Sequence, residues 1–161
     1  MIILGIDPGS KTTGYGVVEK GERGLLHRAY GDIGTKRGQS LSDFLKEMYG
    51  RLMEIMEAYD PHAVALEDIF YGKNVKSLVR LAQARGVAIL AAAHRDIPLY
   101  EYTPLEVKKA VVGYGRAEKE QVQHMVKAIL SLQEKPPADA ADALAIAICH
   151  AHCFTGCPRH D

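Results

Sequence analysis

The chain has 161 residues, 47% hydrophobic and 25% charged, with 20 Lys+Arg balancing 20 Asp+Glu and no tryptophan. That composition excludes disordered and fibrous classes, and a chain of this length buries roughly two-thirds of its unfolded surface with no staple to hold it. The apolar run 87–93, which no other exceeds in length, is far short of the ~20 residues that span a bilayer, and Met1 to Leu4 offers neither a basic leader nor a cleavage site, so a cytoplasmic protein without a membrane partner is expected.

Residues 2–6 are an apolar run ending in Asp7-Pro8-Gly9-Ser10, which reads as a buried strand and a sharp turn. Residues 13–19 are rich in Val, Tyr and Gly, and 25–33 is β-compatible after Gly21-Glu22-Arg23-Gly24. Three strands in succession predict an antiparallel meander. Ser40 with Asp43 has the capping-box pattern, and Leu41, Phe44, Leu45, Met48, Leu52, Ile55, Met56 and Tyr59 keep helical spacing. Pro61 stops that helix, and 63–66 reads as a buried strand delivering Glu67 and Asp68 at its end. After a polar loop, 75–94 has helical composition, polar in its first half and almost wholly apolar from 87 to 93. Such a segment needs cover on several sides, from the domain core or from a second copy of the chain. Residues 99–102 make a fifth strand, and 105–112, 118–132 and 138–154 three more helices, the last two separated by Pro136-Pro137. This order predicts an α/β fold with a five-stranded mixed sheet flanked by helices, as one domain over 1–154 with a short tail, 155–161.

The zero net charge is unevenly distributed. Residues 1–71 carry 8 basic and 11 acidic groups, 72–119 carry 9 and 4, and 120–161 carry 3 and 5. A basic middle between acidic ends suits either a solvated face or a polyanion-binding protein with a carboxylate site. Four acids favour the second. Asp7 and Glu67 end the first and fourth strands, and Asp139 and Asp142, three apart, share one face of the last helix. If those strands are parallel neighbours, Asp7 and Glu67 lie side by side at the carboxyl edge, where open α/β sheets bind ligands. Unit charges ~4 Å apart repel by ~4 kcal/mol at an effective dielectric of ~20, a cost that a hard divalent cation removes. An all-oxygen site suits Mg²⁺ or Mn²⁺ rather than zinc. One acid shared between two ions, for which Asp7 is the candidate, is the arrangement for phosphodiester hydrolysis.

The segments Gly5-Ile6-Asp7-Pro8-Gly9 with Thr13-Gly14-Tyr15-Gly16, Leu66-Glu67, Gln83-Ala84-Arg85-Gly86, Val107-Lys108 with Val111-Val112-Gly113, Ala117-Glu118-Lys119, and 138–145 around Asp139 and Asp142 resemble, in order, the RuvC Holliday junction resolvases. The likeness runs from residue 1 to about 152. It implies a ribonuclease H-like fold, a homodimer, and Mg²⁺-dependent endonuclease cleavage of four-way DNA junctions by paired nicks, with two ions per site and Mn²⁺ as a substitute. It also implies cooperation with the branch-migration proteins RuvA and RuvB. The family's catalytic and metal-binding acids fall on Asp7, Glu67, Asp139 and Asp142, where some members have His in place of Asp139. Its DNA-contacting lysines fall on Lys108 and Lys119, and its loop aromatic on Phe70. Physical chemistry adds Tyr71, placed with Phe70 to stack on an unpaired base, and Lys73, Lys76, Arg80 and Arg116 as phosphate contacts.

Three other readings compete. Asp7 to Gly14 also resembles the first phosphate loop of the actin and sugar-kinase ATPases, which close two such domains over ATP, more than 161 residues supply. A YqgF-type ribonuclease H-like protein would act on RNA, and a junction-binding module would not cleave. Four acids beside phosphates weaken binding and so argue for the nuclease. Cys149, Cys153 and Cys157, with His150, His152 and His160, crowd the last thirteen residues at spacings that match no standard finger, so no zinc site is expected.

Overall fold

Four consecutive buried residues, Ile3 to Ile6, carry β1 (Ile2–Asp7) through the centre of the sheet. The computed structural model describes residues 1–69 and 74–154. After β1 come β2 (Thr12–Gly21), β3 (Gly24–Gly34), α1 (Leu41–Tyr59), β4 (Ala63–Glu67), α2 (Val75–His94), β5 (Leu99–Tyr102), α3 (Pro104–Val112), α4 (Lys119–Ile129) and α5 (Ala138–Cys153). The strand order is β3-β2-β1-β4-β5. The first three strands pair antiparallel, and β4 joins parallel to β1 with β5 parallel beyond it. The expected meander and mixed sheet are both present.

Alternation of side chains across the strands gives the sheet two apolar faces. Leu4, Ile6, Val17, Val64 and Leu66 meet α1 and α2, while Ile3, Val18 and Ala65 meet α5, with α3 and α4 beside it. From Ala140 to Ala151 every residue of α5 but Asp142 is buried. Its alanines make that possible, and so do three glycines under it. A Cβ on Gly5 would stand 2.1 Å from the Ala143 carbonyl oxygen, and one on Gly14 2.0 Å from that of Asp139. Gly16 likewise lies under Leu144. Helix backbone therefore rests directly on sheet backbone.

At α1, the Ser40 hydroxyl oxygen accepts from the Asp43 N–H at 3.1 Å, but the Asp43 carboxylate takes the hydroxyl proton instead of reaching back to the Ser40 backbone. Aspartate is one methylene shorter than the glutamate that closes a full box. Thr103 and Glu106 do close one at α3.

The run 87–93 divides between the two kinds of cover expected for it. Ala88, Ala91 and Ala92 are buried against α1 and the sheet, whereas Ile89 and Leu90 are 39% and 49% exposed. An unbroken apolar run covers all sides of a helix over two turns, and in this chain the core covers one side only. Ala91, at the middle of the run, faces inward. α5 is the helix buried all round. Among the described residues, no helix is long and apolar enough to cross a membrane.

Candidate active site

β1 and β4 run in register, with Ile6 opposite Leu66, so the next residue on each, Asp7 and Glu67, leaves the sheet side by side at its carboxyl edge. Ile6 and Leu66 point into the α1/α2 core, which turns both acids toward the α5 face. Asp7 pairs with Gly14 on β2. Because Gly14 has no Cβ, the Asp139 carbonyl settles against it, bringing the first turn of α5 over Asp7. Asp142 lies three residues on, on the same face. Carboxylate oxygens of Asp7, Asp139 and Asp142 accordingly lie within 4.8 Å of one another.

Glu67 stands outside this trio, against the expectation of four converging acids. α5 packs mainly on β1 and β2, one strand spacing away from Glu67. It nevertheless lines two adjoining clefts. One, of about 240 Å³, is shared with Lys108, Lys119 and Asp142; the other, of about 210 Å³, with Asp7, Asp68 and Arg85.

Electrostatics bind the four acids into one unit. The Asp7 carboxyl is pushed up to about 8, chiefly by burial and then by the charges of Asp142, Glu67 and Asp139. Burial also raises Glu67 and Asp142, and the Asp142 charge adds to the rise at Glu67. Lys119 opposes the rise at Asp142, its Nζ donating to Oδ2 at 2.9 Å. That bond holds the Lys119 ammonium above its usual range. The positive charge of Lys108 lowers Glu67 and Asp142. Three converging hard oxygens, mutually repulsive and half-withdrawn from water, fit a hard divalent cation, which competes with the proton for Asp7.

Among the candidate DNA contacts, Lys108 and Lys119 line the acid cleft itself. Lys76 and Arg80 are exposed on α2, and Arg116 on the turn before α4, outside both clefts. Phe70, Tyr71 and Lys73 lie outside the described residues. The Cys149 and Cys153 sulfurs are 3.9 Å apart, but His150 Nδ1 bonds the Tyr102 hydroxyl at 2.7 Å and His152 Nδ1 lies 3.2 Å from the Ala110 carbonyl. Cys157 and His160 fall outside the described residues. Among the described residues, the acid trio is the only group of three ligands close enough to share an ion. One site residue had no role in the sequence: Arg85, buried beneath Glu67. Its signal was a charged side chain at helical spacing with the buried Ala84, Ala88 and Ala92.

Residues 3–150 match the family model of the crossover junction endodeoxyribonuclease RuvC. The chain belongs to the RuvC family. It is 52% identical over 152 residues to the crossover junction endodeoxyribonuclease RuvC of Citrifermentans bemidjiense, covering 94% of this chain and 93% of that protein. It is 53% identical over 154 residues to the RuvC of Syntrophotalea carbinolica, covering 96% of each. Among solved structures, T. thermophilus RuvC in complex with Holliday junction substrate superposes with a TM-score of 0.88 at 36% identity, over 94% of this chain and 93% of that one. The RuvC arrangement of five strands and flanking helices, a ribonuclease H-like fold, is thus the fold of this chain. The yeast mitochondrial Holliday junction resolvase shares that fold at 14% identity, with a TM-score of 0.67.

Proposed function

We propose that this chain is a structure-selective endodeoxyribonuclease that resolves four-way DNA junctions in recombination and repair, cutting two strands symmetrically by metal-assisted phosphodiester hydrolysis. The observation that carries it is the convergence of Asp7, Asp139 and Asp142 within 4.8 Å, in a chain whose RuvC relatives are half identical over nearly their whole length. Asp7, Glu67, Asp139 and Asp142 would hold two Mg²⁺ ions, or Mn²⁺ in their place. When bound, such ions supply a water activated near neutral pH and neutralise charge on the leaving oxygen. The chain's own groups do the rest. Asp7 is central to the set. Lys119 and Lys108, beside the acids in one cleft, hold the non-bridging oxygens of the phosphate. Lys73, Lys76, Arg80 and Arg116 anchor the flanking strands, and Phe70 with Tyr71 stacks on bases at the crossover. We assign the domain to 1–154 and the protein to the cytoplasm, working there with RuvA and RuvB.

Incubation with a synthetic four-way junction, a linear duplex and an RNA–DNA hybrid, each with and without Mg²⁺, tests the reading. Paired nicks in the junction alone, only with metal, are expected. Preferential cutting of the hybrid, or junction binding without cutting, refutes it.

The homodimer belongs to the same proposal, since a two-fold pair of sites matches the symmetry of a junction. Its support is the outer face of α2. Val75, Val79, Ala82, Gly86, Ile89 and Ala93, spaced alternately by four and three, are all exposed, with Leu90 alongside. An apolar stripe at that spacing is a helix–helix seam. Ile89→Glu, a solvent-facing change, should keep the circular-dichroism spectrum while halving the mass in sedimentation, and should turn paired cuts into single nicks. A dimer of unchanged mass overturns this choice of interface.

A further inference from the structure

Among the described residues, Arg85 is the only Lys or Arg that is buried. Burying a guanidinium is costly unless every arm is paired, and the helix face around it is otherwise alanine. Its partners account for its presence. Nη1 donates to the Glu67 carbonyl oxygen at 2.5 Å. Nη2 pairs with the Glu101 carboxylate on β5 and lies 3.9 Å from Asp68 Oδ1. The Asp68 N–H, the other end of the same peptide unit, donates to the Tyr102 carbonyl at 2.8 Å. The peptide that follows Glu67 is thus gripped at both ends, its oxygen by α2 and its nitrogen by β5. A peptide plane held this way fixes the backbone torsion that aims the Glu67 side chain.

We propose that Arg85 is a positioning residue of the metal site: by locking the Glu67–Asp68 peptide it sets the reach of the Glu67 carboxylate toward Asp7. This rests on Glu67 serving as a metal ligand. Glu67 stands outside the 4.8 Å trio, at the end of its strand, so its participation depends on the aim of that side chain. Lysine cannot replace the guanidinium, because one ammonium cannot serve both the carbonyl and Glu101 in a planar fork.

The test is Mn²⁺ binding to the full chain without DNA, read by electron paramagnetic resonance of the free ion, in a double-mutant cycle. Arg85→Lys should weaken binding by about 10- to 100-fold, the usual effect of losing a group that orients a ligand. The melting temperature should fall, because lysine leaves part of this pairing unmade, while junction binding in chelator, read below that temperature, should stay close to the parent's. Glu67→Gln should lose as much, and the double variant no more than Glu67→Gln alone, because both act through one carboxylate. Unchanged Mn²⁺ affinity in Arg85→Lys, or losses that multiply in the double variant, overturns the positioning role while leaving Glu67 a ligand. Unchanged affinity in Glu67→Gln removes Glu67 from the metal site and the role of Arg85 with it. Should Arg85→Lys fail to fold, Glu101→Gln frees one arm of the guanidinium and is read by the same cycle, with a smaller loss expected.

Discussion

At pH 8 in chelator, the Asp7→Asn protein should unfold at a higher temperature than the parent chain, while its cleavage of a four-way junction in Mg²⁺ falls by on the order of 10³-fold. The stability gain comes from the acid cluster. In the folded chain the Asp7 carboxyl is pushed up to about 8, from 3.8 for a free carboxyl, because burial and then the charges of Asp142, Glu67 and Asp139 oppose its ionisation. The folded state therefore holds this proton more tightly than the unfolded state. Its contribution to stability is complete below about pH 4 and is lost as pH rises through about 8. A tenfold change in proton affinity is worth about 1.4 kcal/mol, so several kcal/mol separate the two ends of that window.

Metal-free parent protein should accordingly lose melting temperature steadily between pH 5 and pH 9. The same titration of Asp7→Asn should be flatter, with a residual slope of the same sign from the raised Glu67 and Asp142. Mg²⁺ or Mn²⁺ should restore stability at pH 8 to the parent far more than to the variant, since the cation takes the place of the proton. Loss of cleavage follows from the same residue. Removing one ligand from a metal site that stabilises transition-state charge by several kcal/mol costs roughly 1.4 kcal/mol per tenfold in rate. A variant that is less stable than the parent at pH 8 in chelator, or that still cuts, contradicts the central place given to Asp7.

How far the sequence could be read depended on where each residue's partner lies. Asp7, Glu67 and the Asp139/Asp142 pair could be picked out because strand ends and helical spacing are local patterns, whereas the parallel pairing of β1 with β4, which sets Asp7 beside Glu67, was only a condition until the structure supplied it. Arg85 was not legible as a clamp. One of its partners is the backbone carbonyl that ends β4, and a carbonyl leaves no mark in composition. The run 87–93 hid its inner side for another reason: alanine suits core and surface alike, so only tertiary packing separates Ala91 from Ile89 and Leu90. Glu67 lies outside the trio because α5 seats its backbone on Gly5 of β1 and Gly14 of β2, one strand away from β4. Glycine next to strand ends reads as turn or bulge, whereas here it is the seat of a helix.

That seat makes Gly14→Ala the second change of large effect. The new methyl would stand 2.0 Å from the Asp139 carbonyl oxygen, 2.4 Å from its carbon and 3.1 Å from the Ala140 nitrogen. All three are backbone atoms, so no rotamer change relieves the clash, and α5 must lift at the end that carries the acids. Overpacking of this kind destabilises by about 1–3 kcal/mol. Displacing catalytic groups by ~1 Å costs roughly 100-fold in rate. Below its lowered melting temperature, the variant should therefore bind junctions within a few-fold of the parent, cleave at least about 100-fold more slowly, and bind Mn²⁺ more weakly. Gly50→Ala is the control, for a Cβ there meets nothing within 4 Å on the exposed side of α1. It should raise stability by about 0.5–1 kcal/mol and leave cleavage alone. If Gly14→Ala cleaves like Gly50→Ala, the first turn of α5 does not depend on its glycine seat. The closeness of Asp139 and Asp142 to Asp7 must then be fixed from the other side, by α3 and α4 packing against the same helix.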